Sequence, residues 1–339
     1  MSVERYARQV VFGPIGREGQ DTLLRSKVTI IGMGALGTVL ANCLCRSGVG
    51  HIRMVDRDYV ELSNLQRQLL YDEDDAAERL PKAIAAYRRL SAVNSEITLE
   101  PLVSDVNPAN IGGLLSGADL VLDATDNWET RFLINEACSA YTIPWIYCGA
   151  LGGTGMTMNI LPKDGGPCLR CLMQKPAAPS QHSCSTYGVM NMVTNAIASA
   201  QAAEAIKLLT GSGSVRQGLL VIDLWENHFD VLPVPRDGDC PVCVHKRYEY
   251  FGRASASSYA TAVCGSDSIQ VVPAAPRTAD FQDLSERLKK IGTVRFNQFT
   301  LIFSDGRYEI TLFQDGRAMI KNAIDGSNAK SVYAEYIGL

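Results

Sequence analysis

The stretch that most constrains this chain runs from Lys27 to Arg67. Val28, Thr29, Ile30 and Ile31 form a short apolar, β-branched run, which predicts a strand buried on both faces. Gly32, Gly34 and Gly37 follow in G-x-G-x-x-G spacing, and residues 35–47 predict a helix with Leu36, Leu40 and Leu44 on one face. Gly48-Val49-Gly50 stops that helix, and residues 52–55 predict a second strand that ends on Asp56. In such a unit the first glycine permits a tight turn, the second lets backbone approach a ligand, and the third lets the helix pack close to the strand. Asp56 stands nineteen residues after Gly37, where a carboxylate accepts hydrogen bonds from a ribose. Glycines alone would specify no more than a tight turn. Strand, helix and acid in register point to nucleotide binding.

The rest of the nucleotide crevice should lie beyond the carboxyl ends of the same strands. Asp58 and the polar run Ser63-Asn64-Leu65-Gln66-Arg67-Gln68 follow the second strand. Asn64 and Arg67 there are suited to phosphate, which guanidinium grips in a bidentate fashion. Residues 81–94 predict a helix opened by Pro81-Lys82, with proline where a missing N–H costs nothing. Lys82 sits at the end of the helix that already carries partial positive charge, so it is either simply exposed or paired with an anion held nearby. Residues 97–103 and 120–124 predict further strands, the latter running into Thr125-Asp126-Asn127. A carboxylate there could hold magnesium or a nucleotide. Residues 128–141 predict a helix and 145–150 another strand; the mixed pattern of 154–161 suggests an antiparallel extension, followed by a helix at 196–209 and a closing strand pair at 219–224 and 229–234. Ahead of all this, 5–11 and 19–24 read as short helical or irregular segments, and Arg5 and Arg8 flank Tyr6, as on a solvated helix face.

The fold expected is therefore α/β, a Rossmann-like and mostly parallel sheet with an antiparallel extension, plus a small C-terminal α+β module. Residues 1–248 would form the first domain, 249–262 a linker rich in small polar residues, and 263–339 the module. Within the module, 269–272 predict a strand, 281–291 a helix, and Ser304-Asp305-Gly306 and Gln314-Asp315-Gly316 hairpin turns, before a last helix at about 329–336.

Composition narrows the function classes. The 339 residues are 46% hydrophobic with a net charge of −4, which carries no electrostatic footprint for nucleic acid or a membrane surface. No apolar run reaches the ~18 residues of a membrane span, and the charged start MSVERYARQ lacks a signal core. A cytoplasmic, reducing setting is expected, in which the ten cysteines serve as metal ligands, nucleophiles or core residues rather than disulfides. Cys168 and Cys171, with Cys240 and Cys243, form two C-x-x-C knuckles suited to a closed tetrahedral zinc site; the other reading is two unrelated pairs, one of them redox-active. Cys184 lies in a polar loop ahead of a helix, where a thiol is either an activated nucleophile or incidental. Cys43, Cys45, Cys138 and Cys148 fall in apolar contexts, and Cys264 in the tail likewise reads as a small core residue.

Taken together, RYARQ, GMGALG, DRDYVELSNLQRQ, LPKAIAA, DATDN, the paired knuckles and CSTYGV resemble the ThiF/MoeB family, bacterial relatives of the ubiquitin-activating enzymes. The phrasing is closer to ThiF of thiamine biosynthesis, in a variety with a C-terminal extension. The resemblance covers roughly residues 4–245 and implies ATP-dependent adenylation of the C-terminal glycine of a small ubiquitin-like sulfur carrier. The carrier would be ThiS-like, or MoaD-like if the product is molybdopterin. It implies that Gly32, Gly34, Ala35 and Gly37 line the phosphates and Asp56 holds the ribose. Asp58, Ser63, Asn64, Arg67, Lys82 and Asn127 would surround the triphosphate, and Asp126 would hold magnesium and align the reaction. Arg8 would reach into a neighbouring subunit's site, making a homodimer necessary, and Cys184 would join the carrier through sulfur. A sulfurtransferase or cysteine desulfurase would be a further partner. Arg8, Arg67, Lys82, Asp126 and Cys184 are thus the catalytic candidates. The competing reading, an NAD-dependent oxidoreductase, rests on the glycine loop and Asp56 alone.

Overall fold

In a computed structural model, residues 4–173, 187–211, 213–252, 259–262, 268–273 and 278–338 are described. They divide into two compact units, one comprising Met1–Ala77 with Pro81–Ala254, the other Glu78–Leu80 with Ser255–Leu339.

The first unit is built on β1 (Lys27–Ile31), whose Val28, Ile30 and Ile31 are almost wholly inaccessible. Parallel pairing joins it to β2 (His51–Asp56) on one side and β4 (Leu120–Asp123) on the other, with β3 (Thr98–Val103) beyond β2 and β5 (Trp145–Leu151) beyond β4. From β5 the chain turns antiparallel through β6 (Thr154–Ile160), β7 (Leu219–Asp223) and β8 (His228–Leu232). The sheet order β3-β2-β1-β4-β5-β6-β7-β8 is the mostly parallel sheet with antiparallel extension that the sequence implies. Chain direction across the sheet reverses at β1 and β4, so the crevice beyond their carboxyl ends is where ligands bind in this architecture.

Among the described residues the helices of this unit are α1 (Ala7–Val11), α2 (Gly16–Leu23), α3 (Ala35–Ser47), α4 (Glu73–Ala77), α5 (Lys82–Val93), α6 (Ile111–Leu115), α7 (Trp128–Tyr141), α8 (Leu169–Leu172) and α9 (Asn191–Thr210). Helix α3 buries Leu36, Leu40 and Leu44, as its period requires, and stops at Gly48 in the left-handed conformation. It can lie against β1 because Gly37 has no side chain: a Cβ there would fall 1.9 Å from the Gly32 carbonyl oxygen. Helix α9 starts five residues earlier than the sequence suggests, its first turn carrying polar Asn191, Thr194 and Asn195 around a buried Val193. Its buried Gln201 donates to the carbonyls of Asp123 and Ile146, tying the helix across β4 and β5.

The second unit holds a six-stranded antiparallel sheet in the order β11-β12-β13-β14-β10-β9. Its elements are β9 (Tyr259–Ala262), β10 (Ser268–Val272), α10 (Phe281–Leu288), β11 (Thr293–Phe296), β12 (Thr300–Ser304), β13 (Glu309–Phe313), β14 (Ala318–Lys321) and α11 (Gly326–Tyr336). Leu284 and Leu288 of α10 and Val332 and Tyr333 of α11 pack on Leu301, Phe303, Ile310 and Ile320. Asp280 and Asp325 cap the two helices. The Asp-Gly turns close β12-β13 and β13-β14, with Gly306 and Gly316 at positive φ. Tyr259–Ala262, placed in the linker on composition, is a strand paired with β10: an edge strand needs only one neighbour, and small residues suffice for it.

Candidate active site

The crevice is organised around Asp56, at the end of β2. Its carboxylate accepts from the Met33 N–H at 2.6 Å and from the Asp58 N–H at 2.7 Å. One side chain thus fixes the glycine loop and the turn after β2. Burial pushes this carboxyl up, while the Lys82 ammonium and the two N–H groups oppose that.

Lys82, only 8% exposed, places its ammonium 3.1 Å from Asp58 Oδ2, and its backbone N–H donates to the Asp58 carbonyl at 2.9 Å. Burial favours the neutral amine, yet Asp58 and Asp56 outweigh it and hold the lysine charged above its ordinary range. The anion that a lysine at a helix start requires is therefore supplied first by this chain itself. Tyr71 completes the link, its buried hydroxyl lying 2.6 Å from the Met33 carbonyl oxygen and 3.1 Å from that of Lys82. Glycine loop and lysine are held to one another through a residue that looks like ordinary core in the sequence.

Asp126 stands exposed in the turn after β4. Its negative charge adds to the groups that favour the charged forms of Lys82, Arg57 and Arg131. The turn is held from below by a buried ion pair, Arg131 Nε to Asp123 Oδ2 at 3.3 Å. Arg131 also donates to the Thr125 carbonyl and stacks over Trp128 and Tyr147, while Asp123 accepts from Thr125 N and Oγ1. Arg57, paired with Asp105 at 3.1 Å, adds a second cation beside Asp58. Neither Arg131 nor Arg57 stood out in the sequence, because a buried arginine and a surface one are written with the same letter.

The other candidates divide. Asn64 is buried, and its side-chain oxygen accepts from Glu61 N–H, capping the short 3-10 turn Leu62–Asn64. Arg67 donates to the carbonyl of exposed Ser63 at 2.9 Å. The side-chain oxygen of Asn127 accepts from Thr130 N–H and caps α7. Arg8 lies exposed on α1 and, among the described residues, forms no hydrogen bond or ion pair; its neighbour Arg5 is instead structural, donating to the Val93 carbonyl at 2.9 Å. Cys184 lies outside the described residues.

These residues fit a nucleotide. Gly34, the first residue ahead of α3, makes no side-chain cap, and a Cβ on it would meet only Gln68 Nε2, at 3.9 Å. The backbone there stays open to an approaching phosphate at a helix amino end. Gln68 Nε2, the atom nearest that opening, is an amide donor suited to an anion, while its buried Oε1 has no partner among the described residues.

Apart from this crevice, the four knuckle thiols converge. Cys168 and Cys240 Sγ lie 3.6 Å apart, as do Cys171 and Cys243 Sγ, and all four fall within 4.8 Å of one another. Tetrahedral zinc with ~2.3 Å bonds needs sulfur separations of about 3.8 Å, so the donor set fits. Burial pushes the Cys168 thiol up, whereas N–H groups of Cys243 and Val242 hold Cys240 below its ordinary value despite burial.

Comparison with known proteins agrees with this geometry. The ThiF family matches residues 6–242. The chain is 38% identical over 338 residues to the sulfur carrier protein ThiS adenylyltransferase of Bacillus subtilis strain 168, covering 98% of this chain and 99% of that one. It is 38% identical over 239 residues to the Escherichia coli K12 protein of the same name, covering 70% of this chain and 94% of that one. In fold it resembles E. coli MccB crystallised with MccA-N7isoASN, at a TM-score of 0.62 and 23% identity over 72% of this chain and 75% of that one.

Proposed function

The chain belongs to the ThiF family, and from that premise we propose that it is an adenylyltransferase that uses ATP to activate the C-terminal glycine of a ThiS-like sulfur carrier. The observation that carries the reading is similarity to a ThiS adenylyltransferase along both units, at 38% identity over 98% of the chain. A hydride-transfer role, open on the glycine loop alone, falls with the family assignment. A MoaD-like carrier is the second reading; it shares every chemical step and differs only in the partner.

In the reaction a carboxylate oxygen of the carrier's terminal glycine attacks the α-phosphorus of ATP. The bond from that phosphorus to the bridging oxygen breaks, pyrophosphate leaves with the electron pair, and the product is an acyl adenylate. Two anions must meet, so the protein's task is alignment and offsetting of charge. Asp56 would accept from the ribose, and backbone from Gly32 through Gly37 would lie along the phosphates. Lys82 would exchange its pairing with Asp58 for the triphosphate, with Asn64, Arg67 and Asn127 flanking it. Asp126 would hold magnesium, whose positive charge would offset that of the leaving pyrophosphate. Arg8 would complete the site of a second copy in a homodimer, and the four knuckle cysteines would hold structural zinc. Cys184 would take the activated carrier as a thiol-linked adduct, and a sulfurtransferase or cysteine desulfurase would supply sulfur.

Carrier-dependent exchange of labelled pyrophosphate into ATP tests the reading. Exchange is expected with a ThiS-like carrier and should fall by at least ~100-fold in Lys82→Ala. No exchange with either a ThiS-like or a MoaD-like carrier would overturn it. In the same assay Cys184→Ser should retain exchange while losing any adduct visible on a non-reducing gel.

A further inference from the structure

The second unit reclaims three residues from the middle of the chain. Glu78, Arg79 and Leu80 belong to it by their contacts, although some 175 residues separate them from its next segment at Ser255. Arg79 donates from one guanidinium nitrogen to Glu309 Oε1 at 2.6 Å and from the other to Thr311 Oγ1 at 3.0 Å. Glu309 and Thr311 are alternate residues of β13 and so lie on one face of the strand. Lys321, opposite Glu309 on β14, is also 3.6 Å from that carboxylate. Asn297, in the turn between β11 and β12, donates to the Glu78 carbonyl at 3.0 Å, while its own oxygen accepts from Phe299 and Thr300. Leu80 is 2% exposed.

Arg79 also adopts φ +46°, a left-handed backbone that a non-glycine residue holds only when its surroundings impose it. The chain then runs through Pro81 directly into Lys82, whose helix begins at that residue. A side chain fixed three positions earlier, followed by a proline of restricted φ, leaves little freedom at the lysine.

We propose that Arg79, gripped by Glu309 and Thr311, braces the turn that leads into Lys82 and is a positioning residue for that lysine. The proposal rests on the nucleotide site described under Proposed function.

ATP binding by the full-length protein, measured by calorimetry without carrier, is the test. Arg79→Ala should weaken ATP binding about tenfold, the scale on which small misplacements of a binding group act. Glu309→Gln should act in the same direction, and Arg79→Lys should recover part of the loss. In a Lys82→Ala background, Arg79→Ala should add nothing, because its effect passes through the lysine. A general structural role would instead multiply the two losses, and that result would overturn the proposal. Unchanged ATP binding in Arg79→Ala and in Glu309→Gln would overturn it as well; should Arg79→Ala not fold, Glu309→Gln alone decides. Intact ATP binding without any carrier-dependent exchange would count against the carrier and leave the brace standing. A wild-type protein that binds no ATP would sink both.

Discussion

At the scale of single residues, the glycines of the loop separate folding from ligand binding. Gly37 faces the Gly32 carbonyl at a distance no Cβ tolerates, whereas Gly34 faces open space and has an ordinary φ of −81°. Gly37→Ala should therefore abolish soluble expression, because the clash is with backbone and neither strand nor helix can yield. Gly34→Ala should fold with a melting temperature within a few degrees of wild type and yet lose most ATP affinity, the added methyl standing where a phosphate must come. Thermal melts and calorimetry on the two variants check both halves. Asp56, Lys82 and Asp126 could be singled out in the sequence because they follow fixed spacings: Asp56 after the loop, Lys82 after proline, Asp126 after a buried strand. Tyr71, Gln68, Arg131 and Asp123 were not. Their importance comes from burial beside one another, and nothing in local spacing records which tyrosine or arginine is buried.

At the scale of elements, strands buried on both faces announced themselves as apolar runs, and β1, β4 and β5 lie where those runs predicted. Short elements held by tertiary contacts were harder to read. Helices α4, α6 and α8 have no more than five residues each, too few to show a period. Strand β13 offers an electrostatic check. Burial alone would raise the Glu309 carboxyl, but its partners Arg79 and Lys321 hold it below its ordinary value of 4.5. A carboxyl lowered on folding stabilises fully above that value and loses its contribution as pH falls through the lowered one. Glu309→Gln should therefore lower the melting temperature by a few degrees at neutral pH, and the gap to wild type should close below pH 4.5. A gap independent of pH would assign the loss to packing instead of charge.

At the scale of the whole molecule, the knuckle cysteines join segments 72 residues apart. The first pair is anchored to α7 through Asn135, which accepts from Leu169 N–H at 2.9 Å. A metal held there closes a long loop, and such cross-links contribute on the order of 3 kcal/mol. One zinc per chain is expected by elemental analysis. Its removal by a chelator, or Cys240→Ser, should lower the melting temperature by ~10 °C while leaving the crevice chemistry intact in protein that remains folded.

The strip Glu78–Leu80 has a consequence for how this chain can be divided. Gene order and fold order disagree there: the second unit is written in two pieces, with most of the first unit between them. No single cut releases either unit whole. A fragment ending at residue 254 keeps Arg79 but lacks Glu309 and Thr311, its hydrogen-bond partners. Fusion, truncation or exchange of the C-terminal module is therefore also an edit at positions 78–80, and a chimera that ignores those three residues leaves Arg79 without Glu309 and Thr311.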